Sequence, residues 1–152
     1  MQRWFFEENA NSNHYNQAVL LEVQQTLDPI FLEQVTNSLL QHHDLLRSQF
    51  IQESLGWQAR ITEFESVAPI TVIDLSALPP ESQSTAITTT CSELQASLNL
   101  FSGKLLQVAL FNLGVNQHSP LVYCYSSLGC GWSLLANLTG RFANSLRTVK
   151  SR

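Results

Sequence analysis

The run Leu105-Leu106-Gln107-Val108-Ala109-Leu110-Phe111-Asn112-Leu113 decides the fold, together with the later run Leu121-Val122-Tyr123-Cys124-Tyr125. Both runs are largely apolar and have the length of a β-strand. The segment between them contains four polar residues at 116–119 and then Pro120, a composition that is typical of a loop. The sequence therefore predicts two neighbouring strands in this part of the chain.

Strands and helices alternate upstream of these two strands. A first strand is predicted over residues 15–24, where apolar residues on both faces indicate burial on most of both sides. Asp28 is the expected N-cap of the first helix, and Pro29 is its expected first residue. Apolar side chains at a spacing near 3.6 residues carry this helix to about Ser48.

A hairpin and a second helix complete the pattern. The hairpin is expected to turn at Ser54-Leu55-Gly56, and a short strand follows at 70–74. Pro79-Pro80-Glu81 opens the second helix, and Gly103 is expected to stop it. The apolar residues that define this helix are Ile87, Cys91, Leu94 and Leu98. Together, these strands and helices predict an α/β fold, a two-layer sandwich of mixed sheet and helices.

Length and composition exclude several classes of protein. The chain has 152 residues, the size of one ordinary domain, and its net charge of −4 argues against a protein that coats nucleic acid. No apolar run approaches the ~18 residues of a membrane span, and the N-terminus lacks the features of a signal peptide. Three cysteines without C-x-x-C spacing indicate neither a disulfide framework nor a zinc site. We therefore expect a cytoplasmic protein without nucleic-acid or membrane partners.

Some residues could carry chemistry, but the pattern favours structural roles for most of them. In His42-His43-Asp44, adjacent residues of a helix point about 100° apart, so the two histidines cannot easily face one metal ion. No third ligand lies at zinc spacing, and we therefore expect a structural or surface histidine pair rather than a metal site. If Cys130 were a nucleophile, it would need an activating histidine, and His118 is the only candidate in the later part of the sequence. Trp4-Phe5-Phe6 suits core anchors better than a base-stacking platform, because no basic groove accompanies it.

Several segments resemble the epimerization domains of nonribosomal peptide synthetases, which belong to the condensation-domain superfamily. Residues 2–7 resemble the opening motif of that family, residues 42–47 its H-H-D-x-L-R segment, and residues 100–111 the stretch before its active-site strand. The motif residues singled out as structural are Trp4, Phe5, Phe6, His43, Asp44 and Arg47. The resemblance covers residues 1–122 and only the first part of the family's domain. It implies a chloramphenicol-acetyltransferase-like half-domain.

The resemblance also implies what should follow next. Family members carry H-H-x-x-x-D-G-x-S-W, whose second histidine is implicated in proton transfer at the α-carbon of a thioester-bound amino acid. Here Ser126 and Ser127 stand at the histidine pair, and no aspartate follows Asp74. Serine is neither an acid nor a base near neutral pH without help. On this interpretation, none of the family's catalytic residues is intact. We expect no bound cofactor or metal. The resemblance implies that the parent family acts on phosphopantetheine-tethered substrates.

The charge of the chain changes near the same point. Residues 1–122 hold all 12 acidic residues and four basic ones, whereas residues 123–152 hold four basic residues and no acidic one. One possible codon set for the last 30 residues, read after deletion of a single base, encodes H-H-L-V-V-D-G-V-S-W without a stop. We therefore divide the chain into the N-terminal part of an epimerization- or condensation-like domain, 1–122, and an out-of-frame tail, 123–152.

Three functions are compatible with this division. The chain is a truncated epimerization-domain fragment without activity of its own, a half-enzyme of condensation or acyltransferase type completed by another chain, or a module that docks carrier proteins. We favour the first, because hydroxyls replace the family's imidazoles. The resemblance implies a carrier-protein domain as partner. Apolar surface that would meet the rest of the domain predicts self-association.

Overall fold

The computed structural model describes residues 16–23, 27–63, 69–114, 119–126 and 146–148, and these residues alternate between strands and helices. The elements in chain order are β1 (Asn16–Val23), α1 (Pro29–His42), a short 3-10 helix (Asp44–Arg47), β2 (Ser48–Glu53), β3 (Gly56–Ile61), β4 (Ile70–Asp74), α2 (Pro80–Ala96), β5 (Leu106–Asn112), β6 (Ser119–Ser126) and β7 (Leu146–Thr148). This order confirms the predicted α/β class.

The strands form one mixed sheet and one separate hairpin. Among the described residues, the sheet has five strands in the order β4-β5-β6-β1-β7. Of these five strands, β4 and β5 run parallel, with α2 as the crossover between them, and the other neighbours are antiparallel. The predicted neighbours β5 and β6 pair directly, with Leu106 opposite Tyr125 and Leu110 opposite Leu121.

The interior strand β5 is buried on both of its faces, and a different helix covers each face. Val108 and Leu110 belong to the apolar cluster that contains Leu32 and Leu39 of α1. The alternating residue Phe111 belongs to a second cluster, against which side chains of α2 pack. Since side chains of a strand alternate between faces, helices lie on both sides of the sheet. The expected two-layer sandwich is not confirmed, because this arrangement has three layers.

The first helix starts where the sequence predicts but ends earlier. The Asp28 side-chain oxygen accepts a hydrogen bond from the backbone N–H of Ile30 at 2.9 Å, and Pro29 occupies the first turn. The prediction that the helix continues to about Ser48 is wrong. His43 has φ −117° and ψ 87°, outside the helical region, and the chain then continues as a short 3-10 helix.

Two other expectations also need correction. The second helix ends at Ala96 rather than at Gly103, and Leu98 lies beyond this end but is still buried. Leu20 on β1 is 40% exposed, so this strand is not buried on most of both sides.

The hairpin is confirmed, with Glu53 opposite Gly56 and the glycine at φ 119°, a conformation that favours glycine. Within the described ranges, no helix has both the length and the apolar character needed to cross a membrane.

Candidate functional site

The candidate site lies where β6 leaves the sheet. Ser126 is the last residue of β6 and lies opposite Asn16, the first residue of β1. On the other side, Tyr125 lies opposite Leu106, the first residue of β5. Ser126 therefore ends a central strand between the starts of both neighbours. Ser127, the second residue of the predicted pair, lies outside the described residues.

Neutral polar groups fix the backbone around this strand end. The Tyr125 hydroxyl donates a hydrogen bond of 2.8 Å to the side-chain oxygen of Gln17. The side-chain amide of Asn16 donates to the backbone carbonyl of Gln95 at 3.2 Å, which ties the last turn of α2 to the start of β1. Amide and phenol groups position a strand end well but do not exchange protons readily near neutral pH.

A thiol lies two residues before Ser126 but is poorly suited to nucleophilic catalysis. Burial, with a smaller contribution from the neighbouring Cys91, raises the pKa of Cys124 to about 12. The thiolate is the reactive form of cysteine, so almost none of Cys124 is reactive at neutral pH. The other cysteine considered as a nucleophile, Cys130, lies outside the described residues together with its candidate partner His118.

The segment that resembles H-H-D-x-L-R is built around the Arg47 guanidinium. Its Nε donates to the carbonyl of Leu40 at 2.9 Å, and Nη1 donates to the carbonyl of Thr62 at 2.7 Å. Nη2 forms an ion pair with the Asp44 carboxylate. The backbone N–H and the hydroxyl of Thr62 both donate to the Arg47 carbonyl at 2.9 Å. Arg47 thus joins the end of α1, the 3-10 helix and the end of β3.

The two histidines of this segment make local contacts. The His42 Nδ1 lies 2.8 Å from the carbonyl of Ser38, one turn earlier on the same helix. The backbone N–H of His43 donates to the Leu39 carbonyl at 2.9 Å and closes the end of α1. Across the residues that the structure describes, no three side chains of His, Cys, Asp or Glu are grouped so that they could hold a metal ion.

A cavity of about 330 Å³ lies beside Arg47, at the same end of the sheet as Ser126. It reaches the start of β5 and carries charges of both signs. Its lining includes Leu40, Leu46, Arg47, Thr62, Glu63, Lys104, Leu105 and Leu106. Lys104 lies in the segment 100–111 that resembles the family, whereas Glu63 belongs to no quoted motif, and no sequence signal indicates that the two line one cavity. The motif residues Trp4, Phe5 and Phe6 lie outside the described residues.

The arrangement of the elements defines the class of protein first. A mixed sheet with a parallel β-α-β crossover and helices on both faces is an α/β fold of the chloramphenicol-acetyltransferase-like kind. The sequence model of the condensation domain matches residues 1–133. The chain therefore belongs to the condensation-domain family of nonribosomal peptide synthetases.

Relatives with sequence similarity are large peptide synthetases. The chain is 36% identical over 150 residues to one polypeptide of the linear gramicidin synthase of Brevibacillus parabrevis, a match that covers 96% of this chain and 2% of that protein. It is 37% identical over 140 residues to a chondramide synthase of Chondromyces crocatus, with 89% and 4% covered. A surfactin synthase polypeptide of Bacillus subtilis is 30% identical over 139 residues, again with 89% and 4% covered. The chain thus spans only a few per cent of the length of these relatives.

Solved structures show the same fold. The epimerization domain from the third module of tyrocidine synthetase B matches with a TM-score of 0.77 at 23% identity, over 99% of this chain and 36% of that one. The starter condensation domain of rhizomide synthetase matches with a TM-score of 0.66 at 21% identity, over 91% and 35%. Both kinds of domain share the fold, so the fold alone does not separate epimerization from condensation. The chain corresponds to about a third of either domain.

Proposed function

We propose that this chain is the first part of an epimerization domain and that it does not invert amino acids by itself. The epimerization subtype rests on the opening motif at residues 2–7. The absence of activity rests on one observation above others: serines, Ser126 and Ser127, occupy the sequence position of the family's histidine pair, where β6 ends.

The parent reaction explains why this replacement matters. L-to-D inversion of a carrier-bound aminoacyl or peptidyl thioester removes a proton from the α-carbon and returns one to the opposite face. That chemistry needs a base and an acid with pKa values near the working pH. A serine hydroxyl serves only with a neighbouring base. The polar side chains whose hydrogen bonds are described at this strand end include the Tyr125 phenol and the amides of Gln17 and Asn16, and none of these three is such a base.

The partner on this proposal is a carrier-protein domain, and the substrate is its phosphopantetheine-tethered aminoacyl group. Two other functions remain as outcomes of the test. A half-enzyme would regain activity when the remainder of the domain is supplied as a second chain. A docking module would bind the carrier protein without changing the stereochemistry of its aminoacyl group.

Deuterium exchange tests the proposal directly. A carrier protein loaded with an L-aminoacyl thioester is incubated in D₂O with this chain, with a complete epimerization domain, or alone. We expect α-carbon deuteration only with the complete domain. The matched control is the Ser126→Ala, Ser127→Ala double variant, which should behave as the unmodified chain does. Exchange by the unmodified chain above that of the carrier protein alone would refute the proposal, and loss of that exchange in the double variant would assign it to the two serines.

A second measurement separates the alternatives. Titration of the chain against the carrier protein by calorimetry reports docking independently of chemistry. Binding without exchange would support the docking module. That result agrees with an inactive fragment that keeps its carrier-protein partner and adds a docking role to it. Exchange that appears only after the second half of the domain is added would support the half-enzyme and replace the inactive fragment as the better description.

A further inference from the structure

Two of the three cysteines lie in one apolar cluster, between α2 and β6. Cys124 is 0% exposed, and Cys91 on α2 is half-buried against the same cluster. Both are free thiols. We propose that Cys91 and Cys124 are a dithiol that a peroxide converts into an intramolecular disulfide between α2 and β6. This inference is independent of the proposed function and uses no residue of the family's motifs.

The sheet register places the two cysteines side by side. α2 is the crossover between parallel strands, so it runs antiparallel to β5 and in the same direction as β6. The Asn16 side chain joins Gln95 of α2 to the start of β1, opposite Ser126. Cys91 lies one turn before Gln95, about 6 Å along the helix axis. Cys124 lies two residues before Ser126, about 7 Å along the strand, so the two offsets match.

A small side chain lies directly beside Cys124 on the face of the sheet that α2 covers. Ala18 lies opposite Cys124 on the neighbouring strand and packs in the same cluster. Ala109 of β5 and Ala86 of α2 belong to that cluster as well. A disulfide needs Cα atoms roughly 4.4–6.8 Å apart, which is close for a helix on a sheet. The cluster also contains larger side chains such as Leu94 and Phe111, and it is Ala18, directly beside Cys124, that favours such an approach. A contribution from Cys91 to the raised pKa of Cys124 agrees with the two thiols being neighbours.

The oxidation is balanced with hydrogen peroxide as the oxidant. The Cys91 sulfur, the more accessible of the two, attacks one peroxide oxygen, the O–O bond breaks, and a sulfenic acid and one water form. The Cys124 sulfur then attacks the Cys91 sulfur, the S–O bond breaks, and the departing hydroxide takes the Cys124 proton as a second water. Two thiols lose two electrons and two hydrogens, and the peroxide is reduced to two waters.

The rate of this reaction should rise with pH. Burial raises the pKa of the Cys91 thiol, and that of Cys124 is raised further. Attack requires a thiolate, so the reactive fraction of both residues is small at neutral pH and grows as the solution becomes alkaline. The dithiol is therefore stable under mild oxidant and is expected to respond to sustained exposure.

The test oxidises the folded full chain in a Cys130→Ser background, which removes the third cysteine. After treatment with hydrogen peroxide, we expect a mass loss of two hydrogens, the loss of both free thiols, and a peptide map that joins the Cys91 and Cys124 peptides. A reductant should reverse all three changes. The disulfide should also raise Tm by about 5–10 °C, because it restricts the unfolded chain.

Two controls make the result decisive. Cys91→Ser and Cys124→Ser variants should show no mass loss of two hydrogens. Oxidation of the urea-denatured chain should give a mixture of intramolecular and intermolecular products, in contrast to the single product from the folded chain. The peptide map of the Cys130→Ser chain decides the question even where a serine variant fails to fold. Folded chain that oxidises only to sulfinic acid, or only between molecules, would overturn the proposal.

Discussion

At the scale of single residues, the Arg47 side chain links the backbone of α1 to the backbone that follows β3. Its guanidinium satisfies the carbonyls of Leu40 and Thr62, which lie on different elements. A carbonyl left buried without a donor costs about 1–3 kcal/mol. Arg47→Ala should therefore reduce the free energy of unfolding by about 2–3 kcal/mol, measured by urea denaturation.

The matched variant for this prediction is Asp44→Asn, which removes only the ion pair. The Asp44 side chain is 61% exposed, whereas that of Arg47 is 16% exposed, and exposed ion pairs contribute roughly 0–1 kcal/mol. Arg47→Lys should be nearly as damaging as Arg47→Ala, because an ammonium group lacks the planar fork that reaches both carbonyls. If the Arg47→Ala chain were as stable as the Asp44→Asn chain, the hydrogen bonds from Arg47 to the two carbonyls would contribute nothing to the free energy of unfolding.

The partners of Arg47 are not predictable from the sequence. The motif indicates that the arginine is structural, but Leu40 is seven residues away and Thr62 fifteen. Both contacts depend on where α1 ends and how the hairpin returns. The same holds for Gln83, a buried glutamine whose amide donates to the carbonyls of Leu75, Leu78 and Leu113 at 3.1 Å. Nothing in its local sequence distinguishes it from an exposed helical glutamine.

At the scale of elements, the carboxyl ends of β4 and β5 are joined by Asp74. The Ser76 hydroxyl, then the Ser76 backbone N–H, and also the Asn112 amide hold the pKa of this carboxyl below its ordinary value of 3.8. A pKa lowered by folding means that the charged form stabilises the fold. This stabilisation is present above pH 3.8 and is lost as the pH falls through the lower folded value.

Acid denaturation should therefore depend on Asp74. Urea unfolding at pH 6 and at pH 3 should show a larger loss of stability for the unmodified chain than for Asp74→Asn, whose amide does not titrate. Ser76→Ala should give an intermediate loss, because it removes only the hydroxyl contact. Equal acid sensitivity in all three chains would contradict the proposed link between the two strand ends.

Element types are predictable from the sequence, whereas ends and layers are not. Local signals such as Asp28-Pro29 and the spacing around Gly56 predict a helix start and a hairpin that the structure confirms. The end of α1 at His42 depends on the distant contacts of Arg47, which no local signal reveals. The number of layers is equally hidden, because apolar periodicity shows that a helix has a buried face but not which side of the sheet it covers.

At the scale of the whole molecule, exposed apolar residues bear on association. Leu55 at the hairpin turn is 91% exposed, and Ile30 at the start of α1 is 65% exposed. Isolated residues of this kind are common on soluble proteins, so the expected self-association stays a prediction. Light scattering over a range of concentrations would measure it directly.

The reading frame after residue 122 is the last whole-molecule prediction. The strand β6 continues past this point to Ser126 and keeps its pairing with β1, which an apolar, β-prone segment can do whatever its origin. The family match continues to residue 133, and the match to one synthase polypeptide covers 96% of this chain, so similarity extends well beyond the proposed boundary. The tail nevertheless contains no acidic residue and does not contain the family's histidine pair.

Sequencing the encoding DNA tests this hypothesis without any protein. We expect a neighbouring frame, open from codon 122 onwards, that encodes two histidines at the positions of Ser126 and Ser127 and an aspartate followed by glycine shortly after. The control is the same search upstream, over codons 27–63, where no alternative frame should improve the family match. Stop codons in both alternative frames directly after codon 122 would show instead that the serines belong to the original gene. Restoring the neighbouring frame that encodes the two histidines should then place imidazoles, which can transfer protons, at the end of β6.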